Sequence, residues 1–432
     1  MAKKLDIEKI KKIHFIGIGG IGMSALARHF LSEKKQVSGS DRTLTPITKV
    51  LASEGVQIFA EQTEENISTD IELVVYTEAM TQDHPEMKAA RAAKIPMINL
   101  FEADGLAFNP YFLIAVAGTH GKTTTAAMLT DIFESVDKDP TAIIGSLRAK
   151  TKSNYRAGKS KYAIVEACEY KRDFLHLKPD ILIVTNLEHE HVDYYKSLED
   201  VQDAFKTLVS QINEGGVVIT DTANINIMPV LEGATAKVVN YHDFLELDLP
   251  LKQPGMHNRL NAAAAMAAAA QEKISVTDAK QALSSFTGTW RRFEHKGEVI
   301  GAPVYDDYAH HPTEIRAAID GVKELYPTKR IILAFQPHTF SRTAAMFGEF
   351  AKAVGQAHEI LILPVYAARE ENQTGVSSRE LAVKTLETNT NARYVDSLES
   401  AEAAIRQSAD SESVVMVVGA GTITHLAESL TK

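Results

Sequence analysis

The chain has 432 residues, 45% of them hydrophobic and 24% charged, which is enough for about two to four domains that each bury a core. Its 56 acidic side chains outnumber the 46 basic ones, and the net charge of -10 excludes nucleic acid as a main partner because no basic surplus can neutralise phosphates. No stretch of about 18 apolar residues is present, so we expect no membrane span.

The beginning of the chain has the outline of a secretory signal peptide, with lysines followed by an apolar stretch. Four glycines within residues 17–22 would break a signal helix, and the acidic Asp6 and Glu8 interrupt the basic region. The single cysteine, Cys168, cannot form an internal disulfide and fits a reducing compartment. We therefore expect a cytoplasmic protein with a free structural thiol.

A glycine-rich turn follows the first predicted strand, which begins at residue 12. Its G-x-G-x-x-G pattern consists of Gly17, Gly19 and Gly22 and opens a helix over residues 23–31. The next strand ends at Asp41, where a dinucleotide site places its ribose-binding acid, so the pattern taken alone predicts NAD. The same turn holds any pyrophosphate, including that of a UDP-sugar. Further strands at 56–60, 72–77 and 97–100 complete a small α/β domain by about residue 108.

A second phosphate-binding turn, GTHGKTTT, lies between an apolar strand at 112–117 and a helix at 126–133. Gly118 and Gly121 let backbone N–H groups converge on an anion, Lys122 supplies a point charge, and the Thr123 hydroxyl can hold Mg²⁺. Val116 replaces the first glycine of the strict Walker pattern. The turn predicts ATP as the ligand, but no particular reaction.

Two further apolar runs, at 162–168 and 181–186, are typical of parallel central strands. Glu166 closes the first run, and the second leads into a segment with His189, His191 and Asp193. A carboxylate and an imidazole beside the phosphate turn could complete a Mg²⁺ site with Thr123. Alternatively, the His189/Glu190/His191 cluster is a solvated loop. A zinc site is less well supported, because the ligands are spaced i and i+2 and no cysteine pair is present.

The segment 255–270 predicts a helix with a polar first turn and an alanine-rich body. Asn258 and Asn261 lie on one face, where their amides suit the hydrogen-bonding edge of adenine. Alternatively, Asn258 only caps the helix. The alanines indicate close helix packing.

Two arginines, Arg291 and Arg292, follow at an apparent domain junction. Arg292 could neutralise a transferring phosphate, whereas an exposed arginine pair on a linker is the alternative. Strand–helix alternation then resumes and predicts a third α/β domain. Its GAGTIT segment at 419–424 is interpreted as a packing turn, because only a short helix remains after it.

Together these motifs resemble those of the Mur ligases, in the same order and over almost the entire chain. The matching segments are HFIGIGGIGMS (14–24), AGTHGKTTT (117–125), EACEY (166–170), TNLEHEHVDYY (185–195), HNRLNAAAA (257–265), RRFE (291–294), DDYAHHPTE (306–314) and FQPHTFSRT (335–343).

The resemblance implies three α/β domains: a Rossmann-like UDP-sugar domain at 1–108, a central P-loop ATP domain at 109–294 and a Rossmann-like amino-acid domain at 295–432. It implies a ligase of peptidoglycan synthesis that uses ATP and Mg²⁺ to join L-alanine to the carboxylate of UDP-N-acetylmuramate through an acyl phosphate. The expected partners are these small molecules, with no nucleic acid or membrane, and the expected state is a monomer or homodimer.

The resemblance also assigns site residues. Residues implied for the UDP-sugar are Gly17, Gly19, Gly20, Gly22, Met23, Ser24 and Asp41, which displaces the NAD interpretation. Residues implied for ATP are Gly118, Thr119, His120, Gly121, Lys122, Thr123, Thr124, Asn258, Asn261, Arg292 and Asp307. Metal ligands are Thr123, Glu166 and His191; catalytic residues are Lys122, Glu166, His191 and Arg292; and amino-acid residues are His310, His338 and Arg342.

The chain departs from the family pattern at two positions. Thr339 stands where some members carry an arginine, which leaves the choice among alanine, glycine and serine open. Glu190 stands where an aspartate often precedes the metal histidine. We identify no counterpart here of the carbamylated lysine that several relatives carry in the central domain.

Three other functions are compatible with parts of the sequence. A related ligase of murein recycling attaches a whole peptide to the same sugar nucleotide, although FQPHTFSRT and the compact length favour the single-amino-acid reaction. An NAD-dependent dehydrogenase would leave the turn at Gly118 unexplained. A non-catalytic ATP-binding regulator would leave Glu166, His191 and Arg292 without a task.

Overall fold

The computed structural model describes residues 5–368 and 370–432. It contains three β-sheets flanked by helices, and most neighbouring strands are parallel, which confirms the predicted α/β class. Residues 1–4, the basic start of the segment that resembles a signal peptide, lie outside the described residues. Short 3₁₀ helices are Ile7–Lys9, Glu64–Asn66, Tyr170–His176 and Tyr241–Phe244.

The first sheet has five parallel strands. They are β1 (Lys12–Ile16), β2 (Gln36–Ser40), β3 (Gln57–Phe59), β4 (Leu73–Tyr76) and β5 (Met97–Asn99), with helices α1 (Ile21–Ser32), α2 (Pro46–Ser53), α3 (Pro85–Ala92) and α4 (Leu100–Phe108). The spatial order is β3-β2-β1-β4-β5, so the strand order reverses beside β1. Ligands of such sheets bind where the order reverses, and the glycine turn after β1 lies at that edge.

The second sheet has seven strands. They are β6 (Phe112–Ala117), β7 (Thr141–Arg148), β8 (Ser153–Arg156), β9 (Tyr162–Glu166), β10 (Ile181–Val184), β11 (Val217–Thr220) and β12 (Lys237–Asn240), with helices α5 (Lys122–Ser135), α6 (Leu198–Ser210), α7 (Met228–Leu231), α8 (Met256–Gln271) and α9 (Val276–Ser284). The order is β12-β11-β10-β6-β9-β7-β8. The predicted strands β9 and β10 flank β6 in parallel and are central, as expected. The antiparallel hairpin β7–β8 was not predicted.

The third sheet has six strands. They are β13 (Glu294–Val299), β14 (Ala302–Asp307), β15 (Arg330–Phe335), β16 (Glu359–Ile362), β17 (Ala392–Tyr394) and β18 (Ser413–Val418), with helices α10 (Pro312–Leu325), α11 (Phe340–Ala345), α12 (Phe347–Val354), α13 (Ser378–Thr385), α14 (Leu398–Ser408) and α15 (Thr424–Leu430). The order is β13-β14-β18-β15-β16-β17, and only the β13–β14 hairpin is antiparallel. A buried hydrophobic cluster covers each face of this sheet.

The chain divides into two compact units. The first comprises the chain up to Leu187, Gln202–Phe244 and Ala264–Ala282, and it carries the first and second sheets. The second comprises Glu188–Val201, Leu245–Ala263 and Leu283–Lys432, and it carries the third sheet. The boundaries predicted after residues 108 and 294 stay predictions. Among residues 5–368 and 370–432, no helix combines the length and apolar character that crossing a bilayer requires.

Candidate functional site

The glycine turn of the first unit lies between β1 and α1 and is stabilised by the end of β2. The backbone N–H groups of Gly17 and Ile18 donate to the Ser40 carbonyl at 2.9 and 3.0 Å. The Gly19 N–H donates to Asp41 Oδ2 at 2.9 Å, so the structure brings Asp41 to the turn as expected. Gly20 precedes α1 and provides no side-chain cap, which leaves a helix start suited to an anion.

Two of the predicted UDP-sugar residues have buried side chains. Met23 is 2% exposed and Ser24 is fully buried. The Ser24 hydroxyl donates to the Ile21 carbonyl at 2.9 Å and accepts from Asn154 Nδ2 at 3.0 Å. In this structure the Ser24 hydroxyl thus connects α1 to β8, and its ligand role stays a prediction.

The phosphate turn between β6 and α5 requires glycine at its first position. Gly118 has a φ of +128°, and a Cβ there would lie 2.1 Å from the Thr185 Oγ1 atom. Gly121 has a φ of +82° and comes immediately before Lys122, the first residue of α5. The positive end of this helix is therefore presented at the turn, as the sequence predicts.

Asn186, which follows β10, holds the middle of the phosphate turn. Its backbone carbonyl accepts from the Thr119 N–H at 3.1 Å. Its side-chain amide accepts from the His120 N–H at 2.8 Å and donates to the His120 carbonyl at 3.1 Å. Sequence reasoning did not select Asn186, although its place at the carboxyl end of a central strand is the signal that could have identified it.

The ammonium group of Lys122 is hydrogen-bonded within the turn. Its Nζ donates to the carbonyls of Gly118 and Thr119 and lies 2.9 and 3.1 Å from the two carboxylate oxygens of Glu169. These contacts account for the three N–H bonds of an ammonium group. Burial lowers the pKa of Lys122, but Glu169, Cys168 and Glu166 outweigh it and raise the pKa above its usual value. Lys122 is therefore charged, and Glu169, only 2% exposed, is its counterion.

The first unit offers two of the three predicted metal ligands. Thr123 Oγ1 donates to Glu166 Oε1 at 3.1 Å, and Glu166 Oε2 accepts from the Gly145 N–H at 2.7 Å. Neighbouring ligands of an octahedral Mg²⁺ lie about 3 Å apart, because each metal–oxygen distance is about 2.1 Å. The Thr123–Glu166 spacing therefore fits a shared Mg²⁺. The third predicted ligand, His191, belongs to the second unit.

The two asparagines implied for ATP lie at the start of α8, in the second unit. Asn258 and Asn261 are 5% and 7% exposed. Asn258 is the third residue of the helix, and its Nδ2 donates to the Pro254 carbonyl at 2.7 Å. The alternative that Asn258 caps the helix is wrong, because an N-cap residue precedes the first helical turn.

The two arginines after α9 have different environments. Arg291 is 4% exposed, lies 3.3 Å from the Asp306 carboxylate and donates to the carbonyls of Gly419 and Gly421. The linker alternative is therefore wrong for Arg291, which fastens the packing turn at 419–424. Arg292 lies 3.6 Å from the Glu314 carboxylate, and its guanidinium is 5.2 Å from the Tyr308 ring centre.

Asp307, implied for the ribose, is 8% exposed at the end of β14. Its two oxygens accept from the N–H groups of Phe293 at 2.8 Å and Ala309 at 2.7 Å. Burial raises the pKa of Asp307 to about 6, although Arg292 acts in the opposite direction. In the described state the carboxylate ties two loops together, and its contact with ribose stays a prediction.

The three predicted amino-acid residues lie together with Glu190 in the second unit, and we refer to His310, His338, Arg342 and Glu190 as the amino-acid corner. Arg342 Nε donates to Glu190 Oε1 at 2.9 Å, and Arg342 Nη1 lies 3.1 Å from His338 Nδ1. The rings of His310 and His338 are 6.0 Å apart. Arg342 and Glu190 are 9% and 6% exposed.

The hydrogen bonds of the two histidines assign opposite tautomers. Burial lowers the pKa of both His310 and His338 to about 4, so both rings are neutral at neutral pH. Because Arg342 can only donate, His338 Nδ1 accepts and its Nε2 carries the hydrogen. His310 Nδ1 lies 3.0 Å from the Tyr308 carbonyl and donates to it, so His310 Nε2 is an acceptor. The corner therefore offers one imidazole donor and one imidazole acceptor.

The segment around Glu190 is ordered by its own hydrogen bonds. His189 Nε2 lies 3.0 Å from the Tyr195 carbonyl, and the His191 carbonyl accepts from the N–H groups of Tyr194 and Tyr195. Burial opposes ionisation of Glu190, yet Arg342 and three neighbouring histidines hold its pKa at about 2. The solvated-loop alternative is therefore wrong for Glu190.

Three family models match successive parts of the chain: the catalytic domain of the Mur ligase family at 12–110, the Mur ligase middle domain at 116–244 and the glutamate ligase domain of Mur ligases at 291–421. The UDP-N-acetylmuramate–L-alanine ligase of Agathobacter rectalis is 37% identical over 457 residues, covering 99% of each chain. That of Lachnospira eligens is 36% identical over 99% of this chain and 100% of its own.

Solved structures give the same result. The crystal structure of the UDP-N-acetylmuramate-alanine ligase MurC from Thermotoga maritima has a TM-score of 0.81 and 30% identity, over 97% of this chain and 98% of that one. A murein peptide ligase from Psychrobacter arcticus has a TM-score of 0.72 at 24% identity over the same shares, a likeness of fold. On this evidence, the chain belongs to the Mur ligase family.

Proposed function

We propose that this chain is an ATP-dependent ligase of peptidoglycan precursor synthesis that joins L-alanine to the carboxylate of UDP-N-acetylmuramate. The names of the relatives that match it over nearly their full length support this substrate pair. The observation that carries the proposal is the phosphate turn, where the charged Lys122 lies beside the 3.1 Å Thr123–Glu166 pair.

The chemistry explains why a ligase needs a phosphate site. A carboxylate does not react directly with an amine, because the leaving group would be oxide. Transfer of the γ-phosphoryl group of ATP to the carboxylate gives an acyl phosphate and ADP. The amine then attacks the acyl carbon, phosphate leaves, and the amine gives up its proton to form the amide. Such a transfer depends mainly on positioning and charge neutralisation.

The protein groups that would perform this transfer are cationic or metal-binding. Lys122 would contact the β- and γ-phosphates, and Arg292 would neutralise charge on the transferring phosphoryl group. Thr123, Glu166 and His191 would hold Mg²⁺. When bound, Mg²⁺ supplies positive charge to the phosphate oxygens.

The other residues would bind the substrates. The glycine turn after β1, with Asp41, would hold the UDP pyrophosphate at the start of α1. Asn258, Asn261 and Asp307 would contact the nucleoside of ATP. His310, His338 and Arg342 would receive the amino acid, with the guanidinium paired to its carboxylate. We place the reaction in the cytoplasm and treat the enzyme as a monomer or homodimer.

Phosphate release tests the proposal. The purified protein is supplied with ATP, Mg²⁺ and UDP-N-acetylmuramate, together with alanine, glycine, serine or a tripeptide. We expect release that requires the sugar nucleotide and is fastest with L-alanine. A preference for the tripeptide would indicate the peptide-recycling reaction, and release that ignores the sugar nucleotide would overturn every ligase assignment.

A further inference from the structure

Glu190 is a buried carboxylate to which the sequence assigned no function. Its Oε1 accepts from Arg342 Nε at 2.9 Å, and the side chain is 7% exposed. The same oxygen accepts from the His191 N–H at 3.1 Å. Its position is therefore set by the backbone of the segment 189–195, which is itself fastened by the bonds from Tyr194 and Tyr195 to the His191 carbonyl.

The guanidinium of Arg342 is contacted from two directions. Glu190 accepts from Nε on one edge, and His338 Nδ1 lies 3.1 Å from Nη1. A guanidinium is planar and carries five N–H bonds, so two contacts at different nitrogens fix its plane and leave N–H bonds on the outer Nη groups. Bidentate recognition of a carboxylate depends on this orientation as well as on the charge.

A partner could neutralise the charge of Arg342 without fixing the orientation of its guanidinium. An arginine with a single partner can rotate about its side-chain bonds, and ordering it on binding costs conformational entropy. In the amino-acid corner the arginine side chain is already ordered when the protein folds, because its partners Glu190 and His338 both belong to hydrogen-bonded backbone. Glu190 thus acts on the arginine rather than on a ligand directly.

We propose that Glu190 is a positioning residue that orients Arg342 so that its Nη groups receive the α-carboxylate of the amino-acid substrate. The inference rests on the proposed function and deepens it. It predicts a site selective for amino acids with a free carboxylate over carboxyl-blocked analogues. An oriented guanidinium donates two parallel hydrogen bonds, and the two oxygens of a carboxylate accept both, whereas an amide has only one acceptor oxygen.

The test compares L-alanine with L-alaninamide in wild-type protein and in the Glu190→Gln variant. We expect the KM for L-alanine to rise about tenfold, the factor that about 1.4 kcal/mol produces. We expect kcat and the KM values for ATP and the sugar nucleotide to change little. The preference for L-alanine over L-alaninamide should fall by about the same factor, a change that a purely structural role would not produce.

Two further variants complete the experiment. Glu190→Asp keeps the charge and should recover part of the preference for L-alanine. Glu359→Gln is the matched control. Glu359 pairs with Arg393 at 2.9 Å at the start of β16, and the variant should show unchanged KM values for L-alanine and L-alaninamide.

The possible results distinguish the positioning role of Glu190 from the proposed ligase function. An active wild type with an unchanged or lower KM for L-alanine in Glu190→Gln would overturn the positioning role, and so would equal losses for both substrates. If Glu190→Gln does not fold, Glu190→Asp decides: a preference for L-alanine below that of the wild type would support the role, because the shorter carboxylate reaches Arg342 less well, and a preference unchanged from wild type would contradict it. A wild type that releases no phosphate would overturn the proposed function itself, and the inference with it.

Discussion

The phosphate turn and the amino-acid corner each hold a buried cation, a lysine in the first and an arginine in the second. Each holds a positive side chain against a buried carboxylate: Lys122 lies 2.9 Å from Glu169, and Arg342 lies 2.9 Å from Glu190. The three donors of Lys122 are all used within the protein, whereas the five of a guanidinium exceed the contacts to Glu190 and His338.

This difference in unused N–H donors determines how each cation can bind an anion. To contact phosphate as proposed, Lys122 would exchange one of its partners, and Glu169 is the partner whose negative charge a phosphate could replace. Arg342 can add a carboxylate while it keeps Glu190. Under the proposed roles, the carboxylate of Glu169 would compete with the ligand of the phosphate turn, whereas the carboxylate of Glu190 would orient Arg342 for its ligand.

The largest expected effect is that of Lys122→Ala. Because Lys122 supplies the charged donor of the turn, phosphate release should fall by about a thousandfold, at the upper end of the cost of losing one preorganised donor. UDP-sugar binding, measured by calorimetry, should be nearly unchanged. Lys237→Ala, on strand β12 of the same sheet, is the control. Ligation by Lys122→Ala at a near wild-type rate would contradict the assignment.

Gly118→Ala should be the next most damaging change. The new Cβ would lie 2.1 Å from Thr185 Oγ1 at a φ of +128°, so the turn must shift. A displacement of about 1 Å costs about a hundredfold in rate. Gly233→Ala is the matched control, because its φ of +77° is also positive but its Cβ would meet nothing within 4 Å. Equal kinetics for the two variants would show that the turn tolerates a side chain.

Glu169→Gln tests the competition directly. Removing the negative charge should make Lys122 more available to phosphate, so the KM for ATP should fall by about three- to tenfold, up to about 1.4 kcal/mol. The ligand-free protein should unfold at a lower temperature, since a buried ammonium loses its counterion. Steady-state kinetics measures the KM for ATP, and thermal denaturation of the ligand-free protein measures the loss of stability. A higher KM for ATP would mean that Glu169 prepares the turn, as Glu190 prepares Arg342.

The smallest effect concerns the pH dependence of stability in the amino-acid corner. The pKa of His338 is lowered by burial from 6.5 to about 4, so between these values the unfolded chain binds a proton that the folded chain does not. Stability should therefore decrease as the pH falls from 6.5 to 4. His338→Gln should reduce this slope by at most about 1.4 kcal/mol per pH unit. Urea denaturation across this range measures it, and an unchanged slope would contradict a buried, neutral imidazole.

The two regions also differ in how far the sequence alone could predict them. The phosphate turn is contiguous, from Gly118 to Thr124, and its flanking strand and helix identify it because glycine, lysine and threonine serve known purposes at fixed spacing. The residues that hold the turn in place were not predicted. Glu169 and Asn186 follow the ends of later strands, and only the order of the strands in the sheet brings them to the turn.

The amino-acid corner could not be assembled from spacing. Glu190 and Arg342 are 152 positions apart, and their pairing depends on tertiary folding within the second unit. A family resemblance located His310, His338 and Arg342, but burial is what separates Glu190 from the solvated glutamates of an acidic chain. The hairpins β7–β8 and β13–β14 were missed for a related reason, because alternation of strands and helices predicts only parallel neighbours.

The most direct test of the proposed ligase reaction follows the oxygen atoms of the sugar carboxylate. UDP-N-acetylmuramate labelled with ¹⁸O in that carboxylate is converted with ATP and L-alanine, and the released phosphate is analysed by mass. Formation of an acyl phosphate predicts that one ¹⁸O atom appears in each inorganic phosphate. Amide product formed together with unlabelled phosphate would contradict the account.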